Sequence, residues 1–533
     1  MTNSEVRDMD SVSANDAQHA TTVTSDWPSL PLSKVTQIIR GVTYRKNDSA
    51  DIQVDGYLPV LRANNIQNNR LLFDDLVYVP GNLISEQQKI KCGDIVVAMS
   101  SGSRNIVGKA ASAIEDWIGG FGAFCGVLRP ITSINARYVK WFTVSSEYRN
   151  KVSELAAGVN INNLKPSHFD EILIPIAPLS EQHQIAAKLD ELLAQVDSIK
   201  TRLDSIPKIL KRFRQSVLAA AVSGKLTEDW REVNSFDVGK EILLLKKDRD
   251  DEFNLLAEQQ LKRSGQNPRK LDFSTLNDEP PFRDIPNGWK LIELGEIICY
   301  LTDYHANGSY ETLKEHVELK ENEDYACMIR ATNFEKNNFS DLLIYISVEA
   351  YHFLGKSKLF GGEILIGKIG NAGSVYLMPN LNRPASLAMN LFAIRFSNKL
   401  VNSKYIYYFL KSHIGEQNIQ KYVRGVATKS IDKKSLRSVY VNFPSHGEQT
   451  EIVNRVEQLF TYADQIEQRV KDAQSRVNHL TQSILAKAFC GELTADWRAQ
   501  NPDLISGENS AEALLRKINA ERTTQKVRGK KCS

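Results

Sequence analysis

Ten apolar residues, Ile185, Leu189, Leu192, Val196, Ile199, Leu203, Ile206, Leu210, Phe213 and Val217, stand alternately four and three positions apart. This 3.5-residue period keeps one stripe facing one partner helix, as in the seam of a coiled coil. The same alternation returns 267 positions later as Ile452, Val456, Leu459, Ala463, Ile466, Val470, Ala473, Val477, Leu480 and Ile484. Two seams of equal length in one chain most simply cover each other, because either alone leaves its stripe in water. The expected product is one pair of long antiparallel helices. About 40 residues, from Ser180 to Ala220, span on the order of 60 Å at 1.5 Å per residue. Pro207 is expected to kink the first helix; the alternative is a new segment capped by Ser205 or Ile206, with Pro207 near its first turn. Gln474 at the matching place leaves the second helix unkinked.

Each seam runs into nearly the same phrase, "AVSGKLTEDWRE" from 221 and "AFCGELTADWRA" from 488. A glycine at a helix end followed by a tryptophan that covers the coil explains part of it. Before each seam lies a segment of about 150 residues with a shared skeleton. In the first it reads "LRANN", "GDIVVAMSSGSRNIVGK" and "AAGVNINNLK"; in the second "IRATN", "GEILIGKIGNAGSV" and "VRGVATKSIDK". Short β-branched and aromatic runs broken by Gly and Asn indicate twisted strands joined by long loops. The fold class expected is α+β, with two mixed α/β domains separated by the helix pair and related by a pseudo-twofold internal repeat.

Boundaries follow from these features. A polar tail occupies 1–24, the first domain 25–177, and the first helix with its phrase 178–230. A helical linker fills 231–283, the second domain 284–444, and the second helix with its phrase 445–500; a tail with a short helix fills 501–533. The segments "GKEILLLKKDRDDE" and "AEALLRKINAERTT" read as short amphipathic helices ending in charge. The chain of 533 residues is 42% hydrophobic and 25% charged, the composition of a soluble protein of more than one domain. No run of about 18 apolar residues is present to span a bilayer, and the N-terminal tail lacks the apolar core of a signal peptide. A cytoplasmic protein that contacts no membrane is expected. Six scattered cysteines without a C-x-x-C pair point to reduced thiols, with neither a zinc site nor a redox motif.

The tandem order, the heptad seams and the skeleton of Arg-x-x-Asn, then Gly-Asp-Ile or Gly-Glu-Ile, then a glycine-rich loop resemble the specificity subunits of type I restriction–modification systems. The resemblance runs from about Trp27 to Trp497. It implies two target-recognition domains that each read one half of a bipartite double-stranded DNA target. It also implies two methylation subunits as partners, together with restriction or translocase subunits. In that setting the repeated phrase offers two equivalent docking surfaces, which let one chain imitate a twofold dimer. Its residues are Gly224, Leu226, Thr227 and Trp230, then Gly491, Leu493, Thr494 and Trp497.

A DNA reader needs groups for phosphates and for base edges; Arg suits guanine, and Asn or Gln suits adenine, through paired hydrogen bonds in the major groove. Candidates in the first domain are Arg62, Asn64, Asn65, Ser101, Ser103, Arg104, Lys109, Asn160, Asn162 and Lys165. Those in the second are Arg330, Thr332, Asn333, Lys368, Asn371, Arg424, Thr428, Lys429 and Ser430.

The chemistry of an enzyme is missing from the sequence. Adenine-N6 methylation needs an N-P-P-Y or D-P-P-Y type loop, and neither tetrapeptide occurs. The run "GGFGAFCG" at 119–126 has a phenylalanine between its glycines and no acid closing a following strand, unlike a dinucleotide loop. The "GKS" at 355–357 follows Ala350 where a P-loop begins with glycine. A non-catalytic subunit without cofactor or metal is expected, with adenosylmethionine and ATP bound by partner subunits. The alternative is a stand-alone bivalent DNA-binding regulator without enzyme partners; a methyltransferase in its own right would instead bind adenosylmethionine.

Overall fold

The sequence repeat is matched by a repeat in the backbone. A computed structural model describes residues 27–158, 161–234, 236–264, 276, 285–341, 343–397 and 399–531. The chain divides into two units, the first built from residues up to 204 and from 471 onward, the second from 205 to 470. The division falls inside both long helices, so each unit owns one recognition domain and a stretch of each helix.

In the first unit a four-stranded antiparallel sheet carries β1 (Thr36–Arg40), β2 (Ile95–Ala98), β3 (Ala110–Ser112) and β4 (Cys125–Pro130), in the order β1-β4-β2-β3. A second sheet centres on Tyr57–Leu61, which pairs parallel with Gly120–Phe121 and antiparallel with Val77–Pro80. Strand β2 is buried along its whole length, which explains the continuous apolar run Ile-Val-Val-Ala in place of an alternating one. Helix α1 (Leu179–Val222) leaves this domain.

The second unit repeats the plan. Strands β5 (Ile298–Asp303), β6 (Ile364–Gly367), β7 (Val375–Leu377) and β8 (Leu391–Phe396) are ordered β5-β8-β6-β7. Ala326–Ile329 pairs parallel with Ala385–Leu387 and antiparallel with Ile344–Ile346. Helix α2 (Val238–Ser264) precedes this domain, α3 (His446–Phe489) follows it, and α4 (Ala511–Lys531) returns to the first unit.

The Gly-Asp-Ile and Gly-Glu-Ile motifs are turn clamps. Asp94, fully buried, accepts from Lys91 N at 2.8 Å and takes both Nε and Nη2 of Arg129 at 2.7 Å. Glu363 accepts from the backbone of Phe360 and Gly361, each at 2.8 Å, and from Arg395 Nε at 3.3 Å. In both domains an acid at the sheet entrance caps the turn and neutralises an arginine of the neighbouring strand.

Within each unit the two helices run antiparallel. Gln474 donates to Asp204 at 2.7 Å in the first unit, and Arg214 reaches Asp464 at 2.6 Å and Glu467 at 3.0 Å in the second. The seam is not buried evenly along its length, although Ile185, Leu189 and Val217 near the ends of α1 are buried. Near the first domain the seam residues Ile185 and Leu189 are buried together with the off-seam Leu193, Leu485, Ala488 and Phe489, whereas the seam positions Ile199 and Leu480 are 46% and 48% exposed. A helix of 3.6 residues per turn drifts about 20° per heptad against a 3.5 repeat, which carries new residues onto the buried face. Helix α1 is unbroken with Pro207 inside it, so the alternative of a new segment capped by Ser205 or Ile206 is not realised.

The two amphipathic segments lie on their own domains. From α2, Val238, Ile242 and Leu245 enter the core of the second unit, and Lys246 pairs with Glu296 at 2.7 Å. From α4, Leu514 and Ile518 enter the core of the first, Glu521 accepts from Ser133 at 2.6 Å, and Arg522 donates to the carbonyls of Ser33, Lys34 and Thr36. Their inner faces are therefore internal braces. The tail at 1–24 lies outside the described residues, as do most of 265–284 in the linker. No helix of the described residues is long and apolar enough to cross a membrane.

Candidate nucleic-acid interface

In each unit a buried acid at the start of one long helix anchors the phrase that ends the other. Glu448, in the first turn of α3, accepts from Thr227 Oγ1 at 2.8 Å and from Arg231 Nη1 at 2.6 Å on one oxygen. Its other oxygen accepts from Trp289 Nε1 at 2.8 Å. The first unit repeats this with Glu181, which accepts from Thr494 Oγ1 at 2.7 Å and Arg498 Nε at 3.0 Å. Both acids also sit where a helix N-terminus favours negative charge. Arg455 and Lys188 close the motif by donating to the carbonyls of Leu226, at 2.8 Å, and Leu493, at 3.2 Å. Gly224 has φ 73° and Gly491 φ 83°, the left-handed conformation that stops a helix.

The repeated phrase is thus first an internal lock. Gly224, Thr227, Gly491 and Thr494 are buried in their own units, whereas Leu226, Trp230, Leu493 and Trp497 are partly exposed. Trp230 stacks parallel on Phe236 with ring centroids 5.7 Å apart. The pair borders a cavity of about 790 Å³ that Lys225, Pro286 and Glu448 also line.

The Arg-x-x-Asn motif separates into a structural and an exposed half. Asn65, only 1% exposed, accepts from Arg62 N at 2.8 Å and donates to Asp74 O at 2.7 Å. Asn333, also buried, accepts from Arg330 N at 2.8 Å and donates to Asn338 O at 3.3 Å. These asparagines hold the turns and, being buried, do not present their amides to a base. Between them and the arginines stand exposed Asn64 and Thr332. Arg62 reaches the Asp75 carboxylate at 3.1 Å, where Asn64 also donates at 2.7 Å. Beside them lies a cavity of about 570 Å³, lined by Tyr44, Arg62, Asn64, Ser100 and Phe124. Phe124, from the glycine-rich run after Phe121, is 70% exposed.

In the first unit Ser101 pairs with Asn162 across two short strands, and the Asn162 amide donates to Gly102 O at 3.3 Å. Ser103, Arg104 and Lys109 are exposed on the loop that follows, and Lys165 is exposed past the second strand. Asn160 lies outside the described residues. In the second unit the equivalent stitch joins Ile369 to Ser430. Arg424 and Ser430 close a hairpin through two backbone hydrogen bonds of 2.9 and 2.8 Å, and Thr428 and Lys429 are exposed on it. Gly425 is required there: its φ is +100°, and a Cβ would lie 2.2 Å from Thr428 O. Asn371 donates to Glu335, which brings the glycine-rich loop against the Arg330 turn.

Lys368 donates to Asp303 Oδ2 at 2.6 Å, and Lys433 to Oδ1 of the same carboxylate at 2.8 Å. Burial pushes the Asp303 carboxyl up, but the hydrogen bonds from the two lysines outweigh it, and its pKa lies below the ordinary carboxylate value. Asp303, Lys433, Tyr44 and Phe124 were not among the sequence candidates. The lysine stands in "IDKKS", beside the matched motif, and offered a signal; the other three are defined only by the meeting of distant loops.

A family model described as the type I restriction modification DNA specificity domain matches the chain twice, over residues 24–208 and 286–473. The chain is 43% identical over 512 residues to the EcoKI specificity subunit of Escherichia coli strain K12, covering 95% of this chain and 97% of that one. It is 42% identical over 508 residues to the StySPI specificity subunit of Salmonella potsdam, again over 95% and 97%. A solved structure from work on complex assembly and conformational transition of the type I R-M system shares the fold, with a TM-score of 0.60 at 17% identity over 88% of this chain and 98% of that chain. Two copies of the specificity domain, each on its own lock, and this identity along nearly the whole length make the chain a member of the type I restriction–modification specificity subunits, which recognise DNA and are not themselves catalytic.

Proposed function

We propose that the chain reads a bipartite double-stranded DNA target, one half-site per unit, and recruits two methylation subunits through the two copies of the locked phrase. The supporting observation is the duplication itself: the same sheet order, the same turn clamp and the same acid-held helix end recur in both units. Equivalent surfaces on one chain suit two identical partners. Trp230 and Trp497 supply the exposed aromatic part of each, the residue type most often dominant in binding energy. On this reading adenosylmethionine and ATP belong to the methylation and restriction subunits. Among the candidates, Asn64, Arg104, Lys109, Lys165, Thr332, Arg424, Thr428 and Lys429 are exposed and suit DNA contact; Asn65 and Asn333 act through the turns they hold.

Co-purification tests the reading. The wild-type chain should carry two methylation subunits, and Trp230→Ala or Trp497→Ala should carry one while half-site preference is kept. An unchanged stoichiometry in both variants would remove the docking role from the tryptophans.

A further inference from the structure

We propose that Lys368 and Lys433, both held on the buried carboxylate of Asp303, form a two-donor subsite that reads one guanine in the half-site of the second unit. The inference rests on the division of the target proposed above and adds to it a base and the groups that meet it.

Lys368 stands where three loops meet. Its backbone N donates to Asn390 O at 2.7 Å, Ile431 N donates to its carbonyl at 3.1 Å, and Gly370 N donates to Lys429 O at 2.9 Å. The glycine-rich loop, the turn before β8 and the exposed hairpin are thereby fixed to one another. Asp303 ends β5 and is 7% exposed, and each of its oxygens takes one ammonium. Both ammonium groups also lie over the Phe392 ring, 5.5 and 5.9 Å from its centroid. The lysine side chains nevertheless keep 25% and 33% of their surface in solvent. The ammonium groups are anchored while part of each side chain stays in contact with solvent.

This is an unusual setting for lysines that serve only phosphates. A phosphate contact works with a mobile point charge, and a carboxylate beside it weakens the attraction. Anchoring instead fixes where the donors stand, as base readout demands. Each ammonium has three N–H groups and gives one to Asp303, so two remain. In the major groove only guanine presents two adjacent acceptors, N7 and O6; adenine has an amino donor in place of O6, cytosine offers a donor, and thymine has one acceptor beside a methyl group. A pair of fixed donors therefore fits guanine and repels adenine. In the first unit the place of Lys368 is taken by uncharged Met99, whose carbonyl accepts from Leu164 N at 2.7 Å as that of Lys368 accepts from Ile431 N, so the two half-sites need not share this base.

The test uses the full chain with any subunits that co-purify. Selection from a random duplex library first locates the guanines in the second half-site, and each is then replaced by 7-deazaguanine, which lacks the N7 acceptor. At one position the replacement should weaken wild-type binding on the order of tenfold. Lys368→Gln and Lys433→Gln should bind the normal duplex correspondingly less tightly and show no further loss with the analogue. Each leaves Asp303 paired with the other lysine, so an unchanged melting temperature is expected. Asp303→Asn should relax the guanine preference while raising affinity for unrelated DNA. Uniform weakening on all sequences in the lysine variants, with the salt slope reduced by about one, would identify a phosphate contact and overturn the subsite. Retained guanine preference in Asp303→Asn would overturn the role of the carboxylate. If the wild-type chain selects a bipartite site but no guanine responds to the lysines, this inference alone fails; if it selects no sequence, the half-site reading fails with it.

Discussion

Glu181 and Glu448 occupy matching places, yet their hydrogen bonding differs in a way that substitution exposes. Both oxygens of Glu448 accept hydrogen bonds, one from Thr227 and Arg231 and one from Trp289. Glu181 uses Oε1 for Thr494 and Arg498, while its buried Oε2 has no partner among the described residues. A glutamine at 181 keeps its oxygen on Thr494 and Arg498 and turns its amide toward the unused side. At 448 the amide must face a donor whichever way it turns. Glu448→Gln should therefore destabilise its unit by about 1–3 kcal/mol more than Glu181→Gln destabilises the other, the cost of an unmet buried donor. Urea unfolding of the two variants, followed by hydrogen exchange to assign each loss to its unit, measures this; equal losses would show that the Trp289 bond is immaterial. Such a difference is invisible in the sequence, where the two phrases look interchangeable and the acids stand 313 residues upstream or 221 downstream of the threonines they hold.

Periodic features were legible and convergent ones were not. The seams, the glycine stops and the twin domain skeleton depend on spacing within a few turns or strands, so the residues alone reveal them. The drift that exposes Ile199 and Leu480 arises from accumulated twist and from what the domains press against, and no local pattern encodes it. Asn65 and Asn333 read as base contacts because asparagine suits adenine, but their capping role appears only once the turn is folded. The two amphipathic helices likewise offered an apolar stripe without saying what covers it. For α4 the answer is the first domain: Leu514 and Ile518 are 5% and 0% exposed, and Arg522 binds three carbonyls around the start of β1. Burial of each aliphatic side chain contributes about 1.5–3 kcal/mol. Ending the chain after Ser510 should thus speed amide exchange in Leu32–Arg40 and Ile131–Asn135 and leave the second unit at its normal rate. Exchange unchanged in both segments would mean that the brace adds nothing to the domain.

At the level of the whole molecule, the two units are each closed in their own cores, and specificity should be exchangeable between relatives one half at a time. The second domain shares a core with its own stretches of α1 and α3: Val217, Ala221, Ile452 and Val456 lie in one cluster with Trp289, Tyr405 and Phe409. Tyr405 donates to Asn442 O, and the Asn442 amide donates to Val222 O at 3.1 Å, so the graft has a defined base. Direct readout is local to the base pairs that a loop touches. Replacing residues 284–444 with the same region of a relative should change one half of the recognised sequence and leave the other, provided that Trp289, Tyr405 and Asn442 are retained. A graft that loses Trp289 also leaves Glu448 with an unmet oxygen and should fail by instability before specificity is read. Methylation mapping with the exchanged chain decides the matter. A change in both halves would show that the two domains do not read independently, and a change in neither would place the reading of the second half-site outside residues 284–444.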